Sequence, residues 1–286
     1  MEAPHKRVVV KELIVVMKPL EPSAARAHVG VLIKNCRQRV GMTRKELAGE
    51  THVSESLEGA YERGERIPSA GFLSDADRLT VAGGMLTSCV ELMEQEPSRV
   101  QFQEWVLLEA EALSLGGYVT MVIPGLLQTP DYIRELHRSR VPALRRDEVD
   151  ELVQERLERQ VVLLREPAPT VSFVIEEAVL HRPLGGEEVL KAALLHVLAA
   201  ARELAHVTLQ VMPTVTSTHA GLSGSLELLY SPDGRDSVFL EGQDRSRLLT
   251  RPVEAVQHRE RYGALRGEAL SPRKSLELIE KVAGEL

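Results

Sequence analysis

The residue types that most often carry chemistry are present, but their spacing does not assemble a catalytic set. His181, His196, His206 and His219 include no pair four residues apart, so no helix offers two imidazoles to one metal ion. No His-Glu-x-x-His string occurs. Gly221-Leu222-Ser223-Gly224 lacks the Gly-x-Ser-x-Gly spacing of a nucleophile elbow, and no phosphate-cradling glycine pattern is present. Cys36 and Cys89 belong to no Cys-x-x-Cys pair, which excludes a disulfide scaffold and a cysteine-rich zinc module. No catalytic residue, metal or cofactor is therefore expected, and the protein is read as a non-enzyme. What remains is recognition chemistry. Basic residues gather at Thr43-Arg44-Lys45-Glu46 and again at Tyr61-Glu62-Arg63-Gly64-Glu65-Arg66.

The elements that must position these residues are helices. Val29, Leu32, Ile33, Cys36 and Val40 recur at helical spacing before Gly41. Thr43 and Glu46 form a capping-box pair that opens a second, short helix carrying Leu47 and Ala48 inward. Ser54 opens a third helix that Gly64 closes, and helices over about 69–79 and 84–96 complete five. Pro97-Ser98 marks a boundary. Residues 1–27 form an N-terminal extension with two short apolar runs, Val8–Val10 and Leu13–Met17. These fit an arm, a dimer-swapped strand or a start-codon artefact equally.

The string from Gly41-Met42-Thr43-Arg44-Lys45-Glu46-Leu47-Ala48 through Val53-Ser54 to Tyr61-Glu62-Arg63-Gly64-Glu65-Arg66-Ile67-Pro68 resembles the XRE family of phage-repressor-like helix-turn-helix domains. The resemblance covers roughly residues 28–80. It implies that the helix opened by Ser54 lies in the major groove, with the preceding helix across the phosphates. Thr43, Arg44 and Lys45 then stand near phosphate, Glu55, Ser56, Gly59 and Ala60 face the bases, and Arg63 and Arg66 return to the backbone. His52 occupies the position of the family's turn glycine. Glu58 stands where the family has a buried aliphatic residue. A stripe of Val53, Leu57 and Tyr61 would rotate Glu58 into solvent, where Glu58→Gln is expected to change stability by no more than about 0.5 kcal/mol. Between Val29 and Thr80 eight basic residues meet eight acidic ones, which removes the net attraction for a phosphate backbone.

After residue 98 helical patterns (about 100–115, 131–139, 146–164, 187–205, 253–268 and 272–283) alternate with strand-like runs at 118–123, 171–175, 207–212, 225–230 and 237–240. Ser231-Pro232-Asp233-Gly234 is a turn joining the last two runs into an antiparallel hairpin. The expected fold is α+β overall. An all-α five-helix domain at 28–98 precedes an α+β domain at 99–286 with a small, at least partly antiparallel sheet.

This second part is similar to an actinobacterial domain of uncharacterised function that follows XRE helix-turn-helices in WhiJ-like regulators. The matching strings are Trp105-x-x-x-Glu109-x-Glu111-Ala112, Pro124-Gly125-Leu126-Leu127-Gln128-Thr129, Arg156-Leu157-Glu158-Arg159-Gln160, Glu176-Glu177-Ala178-x-Leu180, Gly185-Gly186, Val211-Met212-Pro213, His219-Ala220-Gly221 and Ala269-Leu270-Ser271. The resemblance implies a role in development or antibiotic production and a small partner protein encoded nearby. Pro124, Gly125, Leu126, Leu127 and Gln128 form a strand-to-helix loop that is either an effector or partner surface or a packed connection. Trp105 reads as a core anchor rather than a ligand stacker, and Arg156 and Arg159 as a solvated helix face or part of the same surface.

Composition sets the remaining bounds. The 286 residues are 43% hydrophobic and 27% charged, which excludes fibrous and wholly disordered classes. Aromatics make up 3%, too few for an aromatic platform on single strands. The net charge of −7 excludes a polybasic protein but not a local basic face. No apolar run approaches the length of a membrane span, and a soluble, cytoplasmic protein is expected. The expected function is a dimeric, sequence-specific DNA-binding transcriptional regulator with operator DNA as partner. The alternative is a protein-interaction module of antitoxin or anti-regulator type with weak DNA binding.

Overall fold

The structure, a computed structural model, describes residues 22–242 and 245–286. The apolar runs at Val8–Val10 and Leu13–Met17 lie outside the described residues. Among the described residues, twelve α-helices and a six-stranded mixed sheet, in the order β3-β2-β1-β4-β5-β6, give the α+β fold expected from the sequence. The strands are β1 (Ser114–Val119), β2 (Thr170–Glu176), β3 (Val207–Met212), β4 (Leu226–Tyr230), β5 (Asp236–Leu240) and β6 (Arg247–Leu249). The chain divides into two compact units that do not follow chain order. One takes its described residues from Lys18–Ala112 and Leu228–His258, the other from Leu113–Glu227 and Arg259–Leu286.

The first unit contains α1 (Ala24–Arg39), α2 (Arg44–Glu50), α3 (Glu55–Glu62), α4 (Ala70–Leu79), α5 (Val90–Glu94) and α6 (Ser98–Glu111). Serine and threonine side chains start four of them: Ser23, Thr43, Ser54 and Ser69 each accept a backbone N–H from the first turn. Val29, Ile33, Leu47, Tyr61, Phe72, Leu73 and Leu86 share one core, in which the Tyr61 and Phe72 rings lie 4.7 Å apart. The fifth helix is shorter than expected: Gly83 and Gly84 adopt φ of 66° and 92°, which excludes them from a helix, and a 3-10 turn over Thr87–Cys89 precedes the α-helical residues.

The late segment of the chain completes this unit. β5 and β6 pair antiparallel, with Phe239 opposite Leu248. Trp105 of α6 is 1% exposed and stacks on Phe239 at 5.6 Å. Gln101 accepts the Leu248 N–H at 2.6 Å and donates to the Glu96 carbonyl at 2.7 Å. At the β4–β5 turn Gly234 takes φ of 80° and its N–H donates to the Ser231 carbonyl, as the Ser-Pro-Asp-Gly string predicts. Arg235 leaves that turn and donates to the Thr51 carbonyl (3.2 Å), to Asp75 (2.7 Å) and to Asp233 (2.8 Å). Its aliphatic stem crosses α4 where Gly71 has no side chain; a Cβ there would stand 2.6 Å from the guanidinium Nε.

The second unit holds the parallel strands β1, β2 and β3, with Gly117 beside Phe173 and Phe173 beside Leu209. Its helices are α7 (Pro130–Arg138), α8 (Arg146–Gln160), α9 (Glu177–Leu180), α10 (Glu187–Glu203) and α12 (Pro272–Glu285), while α11 (Pro252–Glu268) begins in one unit's span and ends in the other's. A strand at 118–123 was expected; β1 instead runs four residues earlier and α6 ends at Glu111. Gly116 and Gly117 give the segment little strand propensity on their own. Gly116 leaves room for the Tyr262 ring, whose hydroxyl donates to the Ser172 carbonyl at 2.6 Å.

Candidate nucleic-acid interface

The segment from Thr43 to Arg66 builds a helix, a turn and a second helix from local chemistry. The Thr43 hydroxyl accepts the Glu46 N–H at 3.2 Å while the Glu46 carboxylate accepts the Thr43 N–H at 2.7 Å, the reciprocal cap that the sequence predicts. These bonds hold the Glu46 carboxyl below its usual range. After Thr51 the chain reverses through His52 at φ 58°, a left-handed conformation that histidine tolerates better than branched residues. The Val53 N–H closes the turn onto the Ala48 carbonyl at 3.0 Å. Ser54 then caps α3 by accepting the Leu57 N–H.

On α3 the buried arc is wider than expected. Tyr61 is buried in the core, with Val53 and Leu57 packed against it, so the inward stripe forms. Glu58, expected in solvent, is fully buried. It stands a third of a turn beyond Leu57, where Arg37 of α1 and Arg44 of α2 close over it at 3.6 and 3.7 Å. The Nε of each arginine donates to the Glu62 carboxylate instead, at 2.7 Å in both cases, and Arg37 also donates from Nη1 to the Met42 carbonyl at 2.7 Å. Burial, then the charge on Glu62 and a bond to it, push the Glu58 carboxyl up to about 8, against the pull of Arg37 and Arg44. Burial also raises Glu62, yet the arginine hydrogen bonds outweigh it and leave that carboxyl below its usual range. A buried pair of glutamates one turn apart thus shares two guanidiniums. The sequence signal was the like-charged i, i+4 spacing of Glu58 and Glu62, which buried α-helix tolerates only beside cations.

The outward side of α3 carries Ser56, Gly59, Ala60 and Arg63 at i, i+3, i+4 and i+7 spacing. Glu55 and Ser56 are exposed, Ala60 is half-buried, and Gly59 is covered. What covers Gly59 is Arg63: a Cβ at Gly59 would stand 3.0 Å from Arg63 Nη1. Arg63 donates from Nε and Nη2 to the two carboxylate oxygens of Glu65, both at 2.8 Å. Arg66 is half-buried against the buried Glu104 of α6, with Nη2 to Oε1 at 2.7 Å. Thr43 and Lys45 are exposed at the start of α2, and Arg44 is half-exposed. Of the arginines expected near phosphate, Arg44, Arg63 and Arg66 each hold a carboxylate of the same chain.

The expected effector surface falls into separate places. Trp105 is in the core described above. Pro124, Leu126, Leu127 and Gln128 are buried, and Gly125 is half-buried. Gln128 donates to the Ile123 carbonyl at 2.6 Å and accepts from Arg156 at 2.7 Å. Gln160 donates to the Gly125 and Gln128 carbonyls. Arg159 lies 3.8 Å from Glu227. The loop is therefore pinned by three polar side chains. Nearby His137 is buried, and burial, with Arg156 and Arg140, pushes its imidazole down to about 4. Among the described residues no three His, Cys, Asp or Glu groups converge as metal ligands, and no helix is long and apolar enough to cross a membrane.

Residues 28–87 match the model of a helix-turn-helix domain, a DNA-binding module, which covers α1 to α4 with the reversal at His52. Residues 102–281 match the domain of unknown function DUF5753, from α6 into α12. No curated protein and no solved structure matches the chain. The second match spans more than half of the sequence, and the chain belongs to the DUF5753 family, with a helix-turn-helix domain ahead of the family's own segment.

Proposed function

We propose that the protein is a sequence-specific DNA-binding transcriptional regulator of the XRE type, acting as a cytoplasmic homodimer on operator half-sites about 34 Å apart. Residues 28–98 face DNA in this reading. Residues 99–286 receive an effector or a small partner protein, as the WhiJ-like, actinobacterial resemblance implies. The observation that carries the proposal is the helix-turn-helix itself: a capped α2, a left-handed reversal at His52 and an α3 whose outward side bears Ser56, Ala60 and Arg63.

A second reading has an observation in its favour. Because Arg44, Arg63 and Arg66 pair with Glu62, Glu65 and Glu104, little uncompensated positive charge faces outward. A protein-interaction module with weak DNA binding fits that balance. Titrating the full-length protein with duplex DNA over a range of salt concentrations separates the two. A regulator that neutralises phosphates gives a falling log–log slope of roughly 0.9 per contact. A slope near zero at modest salt favours the interaction module.

A further inference from the structure

We propose that Arg63 is the base-reading residue of this helix-turn-helix, that it reads guanine, and that Glu65 occupies its guanidinium until DNA arrives. The inference rests on the DNA-binding reading above. From the sequence, Arg63 lies at the far end of α3, where a side chain would reach phosphate, and the reading face holds only Glu55, Ser56, Gly59 and Ala60. The geometry changes that assignment. Long helical side chains point back toward the helix N-terminus, and Arg63 does so over Gly59, one turn earlier, with Nη1 3.0 Å from where a Cβ would be. Apart from the helix's own backbone no other group lies within 4 Å of that point, and the Arg63 side chain is half-exposed, so the guanidinium rests on the solvent side of the helix.

Its present partner shows what it can bind. Nε and Nη2 meet the two oxygens of Glu65 in a parallel fork, each at 2.8 Å. That is the donor pattern which matches two adjacent acceptors, and the O6 and N7 edge of guanine in the major groove offers such a pair. The side chains of Arg63 and Glu65 are 51% and 43% exposed. An exposed ion pair holds weakly, so it exchanges readily for a desolvated base edge. The small side chains of Gly59 and Ala60 let α3 approach the groove floor, and Arg63 supplies the reach they lack. Arg44 and Arg66 are poor rivals for this role, because Glu62 and Glu104 hold them in buried or half-buried pairs.

The test is selection of bound duplexes from a random library by the full-length protein, at fixed salt. Wild type, Arg63→Ala, Arg63→Lys and Glu65→Gln are compared, with each melting temperature recorded. The wild type is expected to select a motif containing a guanine at which Arg63→Ala loses preference by roughly tenfold or more. Arg63→Lys keeps the charge but not the fork, and should lose the same preference while holding its salt slope. Replacing that guanine with 7-deazaguanine, which lacks N7, should bring the wild type down to the Arg63→Ala level. Glu65→Gln should tighten binding of the guanine-bearing site more than of other sites. If Arg63→Ala weakens every sequence equally and leaves the motif intact, Arg63 is a phosphate contact and the inference is overturned. An unchanged motif and affinity overturn it too. A wild type that selects no motif overturns the DNA-binding reading itself, together with everything resting on it.

Discussion

Two single residues carry strain or charge that can be measured. Val81 holds φ of 51°, an unusual conformation for a β-branched residue, while 77% exposed. Its surroundings over-determine it: Arg39 donates to the Thr80 and Val81 carbonyls, and the Asp77 carboxylate accepts from Gly84, Leu86 and Thr87. A left-handed L-residue costs about 1–2 kcal/mol, and a glycine returns about 0.5–1 kcal/mol of that as chain entropy. Val81→Gly should therefore raise the melting temperature, by the equivalent of up to ~1 kcal/mol; a lower value in calorimetry would refute the strain. Glu58 gives a pH signature. An unfolded carboxyl titrates near 4.5 and the folded one near 8, so between these the folded state binds the extra proton and stability falls as pH rises. Glu58→Gln lacks that loss. Its melting temperature should exceed that of the wild type at pH 9, with the gap closing toward pH 5. Parallel curves would place the folded carboxyl near its ordinary value. The alternation of residues on α3 predicted its apolar stripe, but the burial of Glu58 depends on Arg37 and Arg44, from two other helices. The like-charged spacing of Glu58 and Glu62 is a local signal, but it does not say which cations answer it.

At the scale of elements, capping chemistry was legible because it is local: Thr43 with Glu46, Ser54 and Ser69 each mark a helix start that the structure contains. β1 was misplaced because its strand character comes from β2 rather than from its own two glycines. The clasp of the β4–β5 turn on the helix-turn-helix was invisible for a similar reason, since Arg235 reaches Thr51 and Asp75 only after the chain has returned. Hydrogen bonds to charged groups are worth about 1.5–3 kcal/mol. Arg235→Ala should lower stability by about that amount and speed amide exchange in the Thr51–Ser54 turn; unchanged exchange there would show the clasp to be idle. For α2, Lys45→Ala should weaken all DNA sequences alike and reduce the salt slope by about one. Arg44→Ala should do so with an added fall in melting temperature, because it also strips Glu62 of a donor. An Arg44 variant as stable as the wild type would mean that Arg37 alone suffices for Glu62.

For the whole molecule, composition and pattern identified an α+β protein with a helical N-terminal part, and the family matches at 28–87 and 102–281 fall on the same two regions. Spatial division follows other lines. Leu228–His258 belongs with the helices of Lys18–Ala112, a long-range association that no spacing rule detects. Trp105, the only tryptophan, reports on it. In the full chain the indole is stacked on Phe239 and shielded from water. A chain ending at residue 112 should show red-shifted tryptophan emission and a lower melting temperature. Identical emission would mean that α1 to α6 bury the indole without help.

The same interleaving sets a timetable for synthesis. At about 5–20 residues per second, translation of the stretch between Ala112 and Leu228 takes on the order of 10 s. Throughout that interval α6 has been made while β5 and β6 have not. A nascent chain that has cleared the ribosome to α6 therefore has an uncovered indole face and an unclasped turn beside α3, and completes its helix-turn-helix unit only when nearly all of the polypeptide exists.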